Sequence, residues 1–225
     1  ASCHDLTGCT DLSASNYDPD ATTDDGSCIC SNDNPCLEIN FKHFVDEVEI
    51  NYSNDNMIYE NSLGTIYSVR RLLYVLSDIT LYFNNEPDLN LDGLIFVNTD
   101  NSITLNKTIY NLPDLCSGIS FRLGLSSVNN TDNQHIDVIN NFHSSMLWPN
   151  LNGINEAFQG GYHYMKLEGK YSNLIDGVSF YNTHTGPTNA NDFSSIQSFT
   201  FIPSQLITIN MNVNNWYNDP IYDFN

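Results

Sequence analysis

At 225 residues the chain has the length of one full domain, or of one domain with a small appendage. Its 27 Asp and Glu against 7 Lys and Arg give a net charge of -20, which leaves no basic footprint for nucleic acid and disfavours anionic lipid headgroups. The same imbalance favours cations and basic protein surfaces, and no run of 18 apolar residues is present to cross a membrane as a helix.

Residues 1–36 read as a separate unit. Five of the six cysteines lie there, in an acidic stretch with almost no aliphatic content, so burial alone does not hold it together. Clustering of this kind reads as disulfides made in an oxidising compartment. A Cys9–Cys28 bridge closes a loop worth roughly 3 kcal/mol in the chain-entropy model. The remaining pairs expected are Cys36–Cys116, on adjacency, and Cys3–Cys30. The rival zinc reading is weaker, because Cys28-Ile29-Cys30 is tighter than a CxxC pair and no second pair follows. Ala1-Ser2-Cys3 has the form of the tail of a bacterial lipoprotein signal, with Cys3 as lipid acceptor; the disulfide is the favoured alternative. Asp11, Asp18, Asp20, Asp24 and Asp25 are clustered oxygens of the type calcium takes, although their spacing is not that of an EF-hand and turn-forming Asp is the simpler reading. This unit resembles the short GCTD…NY…A…DDGSC repeat of secreted Bacteroidota proteins.

From Cys36 onward the pattern is one of strands. Leu37 to Val45 alternates, placing Leu37, Ile39, Phe41, His43 and Val45 on one face; a histidine there is either a ligand or a core residue bonded to its surroundings. Residues 67–75 and 77–83 read as two strands, with Tyr67, Val69, Arg71, Leu73 and Val75 sharing a face in the first. Arg70 and Arg71, two of so few basic residues, are expected to anchor a carboxylate. Further strands are expected at 94–97, 119–125, 162–171, 178–184, 198–201 and 206–213, with a polar loop over 129–141. Short strands between Asn-, Gly- and Pro-rich turns predict an all-β fold: an antiparallel β-sandwich over 37–225 behind the disulfide-rich unit of 1–36.

The stretch from Met146 to Tyr171 concentrates reactive side chains: Met146 two residues before Trp148, a Gly-Gly pair, and His163 and Met165 read on one strand face. Imidazole suits copper or zinc and thioether suits Cu(I). Trp, Met and Tyr in a sandwich are more often plain core. No G-x-S-x-G, HExxH or nucleophilic cysteine pattern is present, so no enzyme is expected. Two other readings compete with metal binding: a non-catalytic accessory or structural subunit of a cell-surface or outer-membrane complex, and a carbohydrate-binding module.

The pieces INFKHFV (39–45), YSVRRLLYVLSDITLY (67–82), ISFRLGL (119–125), MLWP (146–149), GGYHYMKLEGKY (160–171), YNTHTG (181–186) and NMNVNNWYNDPIYDFN (210–225) together resemble the MbnP-like family. These are partner proteins of methanobactin operons, related to the secreted copper proteins MopE and CorA. The resemblance implies an extracytoplasmic copper-binding β-sandwich, secreted or at the cell surface. It also implies a dihaem peroxidase-like partner that oxidises a tryptophan to kynurenine. Carried over by motif, the implied copper residues are His43, His163 and His184, with Met146 beside them and Trp148 as the candidate kynurenine. His4, His135 and His143 fall outside the matched motifs, His143 remaining a minor candidate by its closeness to Trp148. The chain has no Trp-x-His pair of the MopE type.

Overall fold

The computed structural model describes residues 6–12, 14–30, 35–52, 56–136, 140–151, 154–155, 158–173, 177–188, 191–218, 221 and 224. In chain order the elements are β1 (Thr7–Gly8), β2 (Thr23–Asp24), β3 (Leu37–Val45), β4 (Val48–Glu49), β5 (Tyr59–Glu60), β6 (Ile66–Tyr67), β7 (Arg71–Phe83), β8 (Leu89–Leu91) and β9 (Ile95–Asn98). There follow β10 (Asn106–Ile109), β11 (Cys116–Leu123), α1 (Phe142–Met146), β12 (Met165–Asn173), β13 (Gly177–Thr185), β14 (Ser195–Ser204) and β15 (Leu206–Asn212). The fold is all-β, as expected, and among the described residues no helix is long and apolar enough to cross a membrane.

Two sheets close over one core. The larger runs β14-β11-β7-β12-β6-β5, with β13 beside β12 and with β8 and β9 on β7; the smaller runs β10-β3-β15, with β4 on β3. Most pairs are antiparallel, but β15 runs parallel to β3, from Leu206 opposite Glu38 to Asn212 opposite Phe44. The alternation of β3 sends Leu37, Ile39, Phe41, His43 and Val45 inward. They meet Leu72, Tyr74, Leu76, Ile79, Leu81, Ile119, Phe121, Met165 and Leu167 of the larger sheet. Each such side chain removed from water contributes about 1.5–3 kcal/mol before entropy is counted.

The two strands expected over 67–83 are one long strand, β7, preceded by the short β6. Its inward residues change parity midway: Leu72, Tyr74 and Leu76 face the smaller sheet, then Ile79, Leu81 and Phe83 do. Asp78 sits between them at φ 48°, and the register with β11 slips at the same place. One extra residue in the ladder is a β-bulge, and it flips every side chain beyond it. Leu73 and Val75 therefore face outward, where they join Phe142, Met146, Tyr162 and Tyr164 in a second apolar cluster on the back of the sheet. Residues 142–146 and 162–164 lie on this outer cluster.

In the N-terminal unit Cys9 is bonded to Cys28, with Cα atoms 4.7 Å apart, and the two pack with Ala14 against Tyr110. The other pairs differ from expectation. Cys30 is bonded to Cys36 across 6 residues of chain, and Cys116 is a free, buried thiol. Cys36 immediately precedes β3 of the smaller sheet, whereas Cys116 opens β11 in the larger one, where its sulfur sits 3.0 Å from the Gly118 carbonyl inside the core. Local closure thus takes Cys36, and among the described residues no cysteine is left to pair with Cys116. It also takes Cys30 from the expected Cys3–Cys30 bridge; Cys3 itself lies outside the described residues. The aspartates bind their own turns: Asp18 accepts from Asp20 N–H at 3.0 Å, Asp24 from Gly26 N–H at 3.1 Å and Asp25 from Ser27 N–H at 2.9 Å. Among the described residues no three of Asp11, Asp18, Asp20, Asp24 and Asp25 bring ligand oxygens within 4.8 Å of one another.

Candidate metal centre

The back of the larger sheet carries the site. β12 and β13 pair with Lys166 opposite His184 and Glu168 opposite Asn182. Because Met165 and Leu167 point into the sandwich, Lys166 and Glu168 point out, and His184 shares that side. Above them residues 146–151 and 158–163 are cross-linked to each other. Leu147 bridges to Tyr162, and Trp148 N–H donates to the Gly161 carbonyl at 2.9 Å. The Gly-Gly pair makes this turn possible, with φ of 84° at Gly160 and 81° at Gly161. Two side chains from the polar loop hold it down: Asp132 accepts from Gly161 N–H at 2.6 Å and Asn130 from Tyr162 N–H at 2.7 Å.

This loop lays Trp148 and His163 against His184. The Trp148 and His163 ring centroids are 4.6 Å apart, and those of His163 and His184 are 5.0 Å apart, edge to face in both cases. Gly186, at the end of the THTG motif, lies under the indole: a Cβ there would stand 2.7 Å from a Trp148 ring carbon. His163 and Trp148 are buried, and His184 is partly open. Each imidazole has one nitrogen already engaged. His163 Nδ1 is 3.1 Å from the Met146 carbonyl, an acceptor only, so Nδ1 carries the proton and Nε2 keeps the lone pair. His184 donates from Nε2 to Glu168 at 2.9 Å, which leaves Nδ1 for another partner.

Glu168 is the hinge of the electrostatics. It is buried, and it accepts from Arg70 at 2.9 Å and from Arg71 at 2.6 and 3.0 Å as well as from His184. Burial pushes its carboxyl upward, but the bonds from His184 and Arg71 and the nearby guanidinium charges outweigh this and hold it well below the usual range. The carboxylate that Arg70 and Arg71 were expected to anchor is this one. Burial, with a contribution from Lys166, lowers His163 to about 4, so it is a neutral imidazole at neutral pH. His43 is lowered to about 4 as well, by burial. Both rings are neutral when folded, so the unfolded chain takes up more protons between the ordinary histidine value and about 4. Stability is therefore full above pH 6.5 and falls as the pH drops through that window, by about 2 kcal/mol per histidine at pH 5. Urea unfolding of the metal-free protein at pH 7 and pH 5 measures this, and His43→Gln is expected to remove its share of the slope.

Of the residues singled out in the sequence, the fold brings together Trp148, His163 and His184. His43 lies in the core between the sheets, its Nε2 3.1 Å from the Tyr74 hydroxyl and its ring against Tyr52 and Tyr74. Met146 contributes its carbonyl, while its side chain is fully buried in the outer apolar cluster. Met165 does not share a face with His163, because β12 begins only at Met165 and turns it into the sandwich. His143 hydrogen-bonds the Tyr162 hydroxyl at 2.9 Å, and its ring lies edge-on to that of Tyr162. Glu168 was not singled out in the sequence, although the paired arginines and its place two residues beyond Lys166 on an alternating strand were signals for it.

No curated protein and no solved structure matches the chain. The MbnP family model matches residues 34–224, the whole sandwich with all of the residues gathered above, and the chain belongs to the MbnP family.

Proposed function

We propose that this domain is an extracytoplasmic copper-binding protein in which His163 and His184 are the ligating pair and Trp148 is the indole beside the metal. The observation that carries the reading is the pair of imidazoles in contact, each with one nitrogen tied to a fixed acceptor and the other left over. Metal-ligating histidines characteristically give their second nitrogen to a carbonyl or carboxylate, and Met146 and Glu168 are of those two kinds. Neutral imidazole suits copper, and burial keeps His163 neutral. The two disulfides fit an oxidising compartment outside the cytoplasm.

A copper ion held here would supply a one-electron redox centre. Around it the chain's own residues fix ring orientation, and Phe158, 5.8 Å from Trp148, helps shield the indole from water. The protein is read as a non-catalytic carrier. Conversion of Trp148 to kynurenine is the task of an oxidising partner, for which the resemblance implies a dihaem peroxidase-like enzyme. Copper titration with metal analysis, alongside mass spectrometry of the Trp148 peptide, tests the proposal. The expected result is one tightly held copper per chain, and, in protein from the native source, a peptide mass matching kynurenine. Wild-type protein that takes up no stoichiometric copper would overturn the reading.

A further inference from the structure

The strand that carries Glu168 places one more charge beside the imidazoles. Lys166 stands directly opposite His184 in the β12–β13 ladder, on the same outward side as Glu168. Its ammonium donates to the Ser145 carbonyl at 2.8 Å, one residue before the Met146 carbonyl that holds His163. Lys166 is thus tied by the sheet at one end and by α1 at the other, next to both rings. The other cations around Glu168 are matched. Arg70 pairs with Glu168 at 2.9 Å, and Arg71 pairs with Glu168 at 2.6 Å and with Asp100 at 3.7 Å, two guanidinium groups against two carboxylates. Lys166 has a neutral partner, and among the described residues it forms no ion pair. The centre therefore carries one positive charge left over.

What the imidazoles offer in return is neutral. Among the described residues no group of three His, Cys, Asp or Glu ligand atoms within 4.8 Å of one another includes His163 or His184. Glu168 is committed to the arginines and to His184. Zinc sites hold their ion with three or four protein ligands, thiolate or carboxylate often among them. Two neutral imidazoles beside an ammonium give a dication far less. The same charge already acts on His163: after burial, Lys166 is the largest influence against a proton there. What repels a proton from that ring repels a metal cation on it, and a dication with twice the energy of a monocation. The acidity of the chain as a whole gathers cations of every charge near its surface, but the more distant carboxylates are screened beyond about 8 Å at physiological salt. Discrimination between ions falls to the local charge.

Resting on the copper-binding reading above, we propose that Lys166 is the selectivity residue of this centre: its unmatched ammonium weighs against divalent ions, so that the two imidazoles keep Cu(I) and reject Zn(II) and Cu(II). Lys166 acts through space and is not a ligand, since an ammonium has no lone pair to give.

Competition titrations of the full chain with Cu(I), Cu(II) and Zn(II) test this. Lys166→Met and Lys166→Gln remove the charge, the amide keeping a donor for Ser145. Both are expected to raise Zn(II) and Cu(II) affinity about tenfold relative to Cu(I). For copper this lowers the Cu(II)/Cu(I) potential by about 59 mV. Lys166→Arg keeps the charge and is expected to keep the wild-type order of ions. The ratio between ions is the readout, because loss of the Ser145 bond alone weakens all three alike. Unchanged ratios in both neutral variants overturn the proposal, and so does a Lys166→Arg chain that behaves as they do, or a wild type that binds Zn(II) as tightly as Cu(I). None of these touches the copper reading while wild type takes up Cu(I) stoichiometrically. Wild type that binds none of the three ions overturns that reading and the proposal with it.

Discussion

His163→Ala is expected to abolish stoichiometric copper binding, while His43→Ala leaves copper binding intact and costs stability instead. Both histidines are buried and both lie within the residues the family model matches, so the match does not separate them. Their surroundings do. His163 touches Trp148 and His184 on the outer face of the larger sheet, and its Nδ1 is held by the Met146 carbonyl. Removing it takes away one of two imidazoles, and the loss of affinity should exceed the roughly 10- to 100-fold that follows from deleting a residue that merely orients a ligand. His43 is bonded to the Tyr74 hydroxyl in the inter-sheet core. Its removal strands that hydroxyl and opens a cavity, at a cost of about 1–3 kcal/mol for the unpaired group alone. Isothermal titration with copper and urea unfolding, run on both variants, separate the two outcomes. Copper binding that is lost in His43→Ala and kept in His163→Ala would refute the assignment of the site.

The alternation of β3 was legible because nothing interrupts it: nine residues keep one period and one buried face. The same rule misplaced β7, since the bulge at Asp78 inserts one residue and nothing in a run such as Val75-Leu76-Ser77-Asp78-Ile79 announces it. Alternation also joined His163 to Met165 as one face, and the structure parts them because the loop reaches regular strand geometry only at Met165. The site itself was half legible. Trp148, His163 and His184 could be picked out by residue type and motif. Their meeting could not, because no Trp-x-His pair brings indole and imidazole together in the sequence. Here a loop closed by Gly160 and Gly161 and pinned by Asn130 and Asp132 does so across 15 residues. The disulfides show the opposite limit. Adjacency along strands points to Cys36–Cys116, whereas Cys36 is taken by Cys30, only 6 residues away along the chain, where the short loop brings their Cα atoms within 5.7 Å.

Glu168→Ala is expected to unfold the protein more easily by about 2–3 kcal/mol, below the roughly 3–5 kcal/mol of a fully buried broken pair because Arg70 is half exposed and stays solvated. The same change frees His184 to rotate and to exchange tautomers, and copper affinity should fall by about 10- to 100-fold. Glu168→Gln separates orientation from bulk. The carboxylate now accepts from His184 on one oxygen and from both arginines on the other, with Arg71 spanning the two. An amide of the same size has only one acceptor oxygen. Two guanidinium groups compete for it more strongly than one imidazole, so the amide turns its NH2 toward His184. His184 Nε2 must then accept, the proton moves to Nδ1, and the nitrogen left for the metal is blocked. Glu168→Gln is therefore expected to keep the fold and to lose copper affinity as severely as Glu168→Ala. Nitrogen-15 shifts of the His184 ring in the metal-free variant should report the exchanged tautomer. Wild-type affinity in Glu168→Gln, with an unchanged ring spectrum, would show that the arginine-clamped carboxylate supports the sheet and does not aim the ligand.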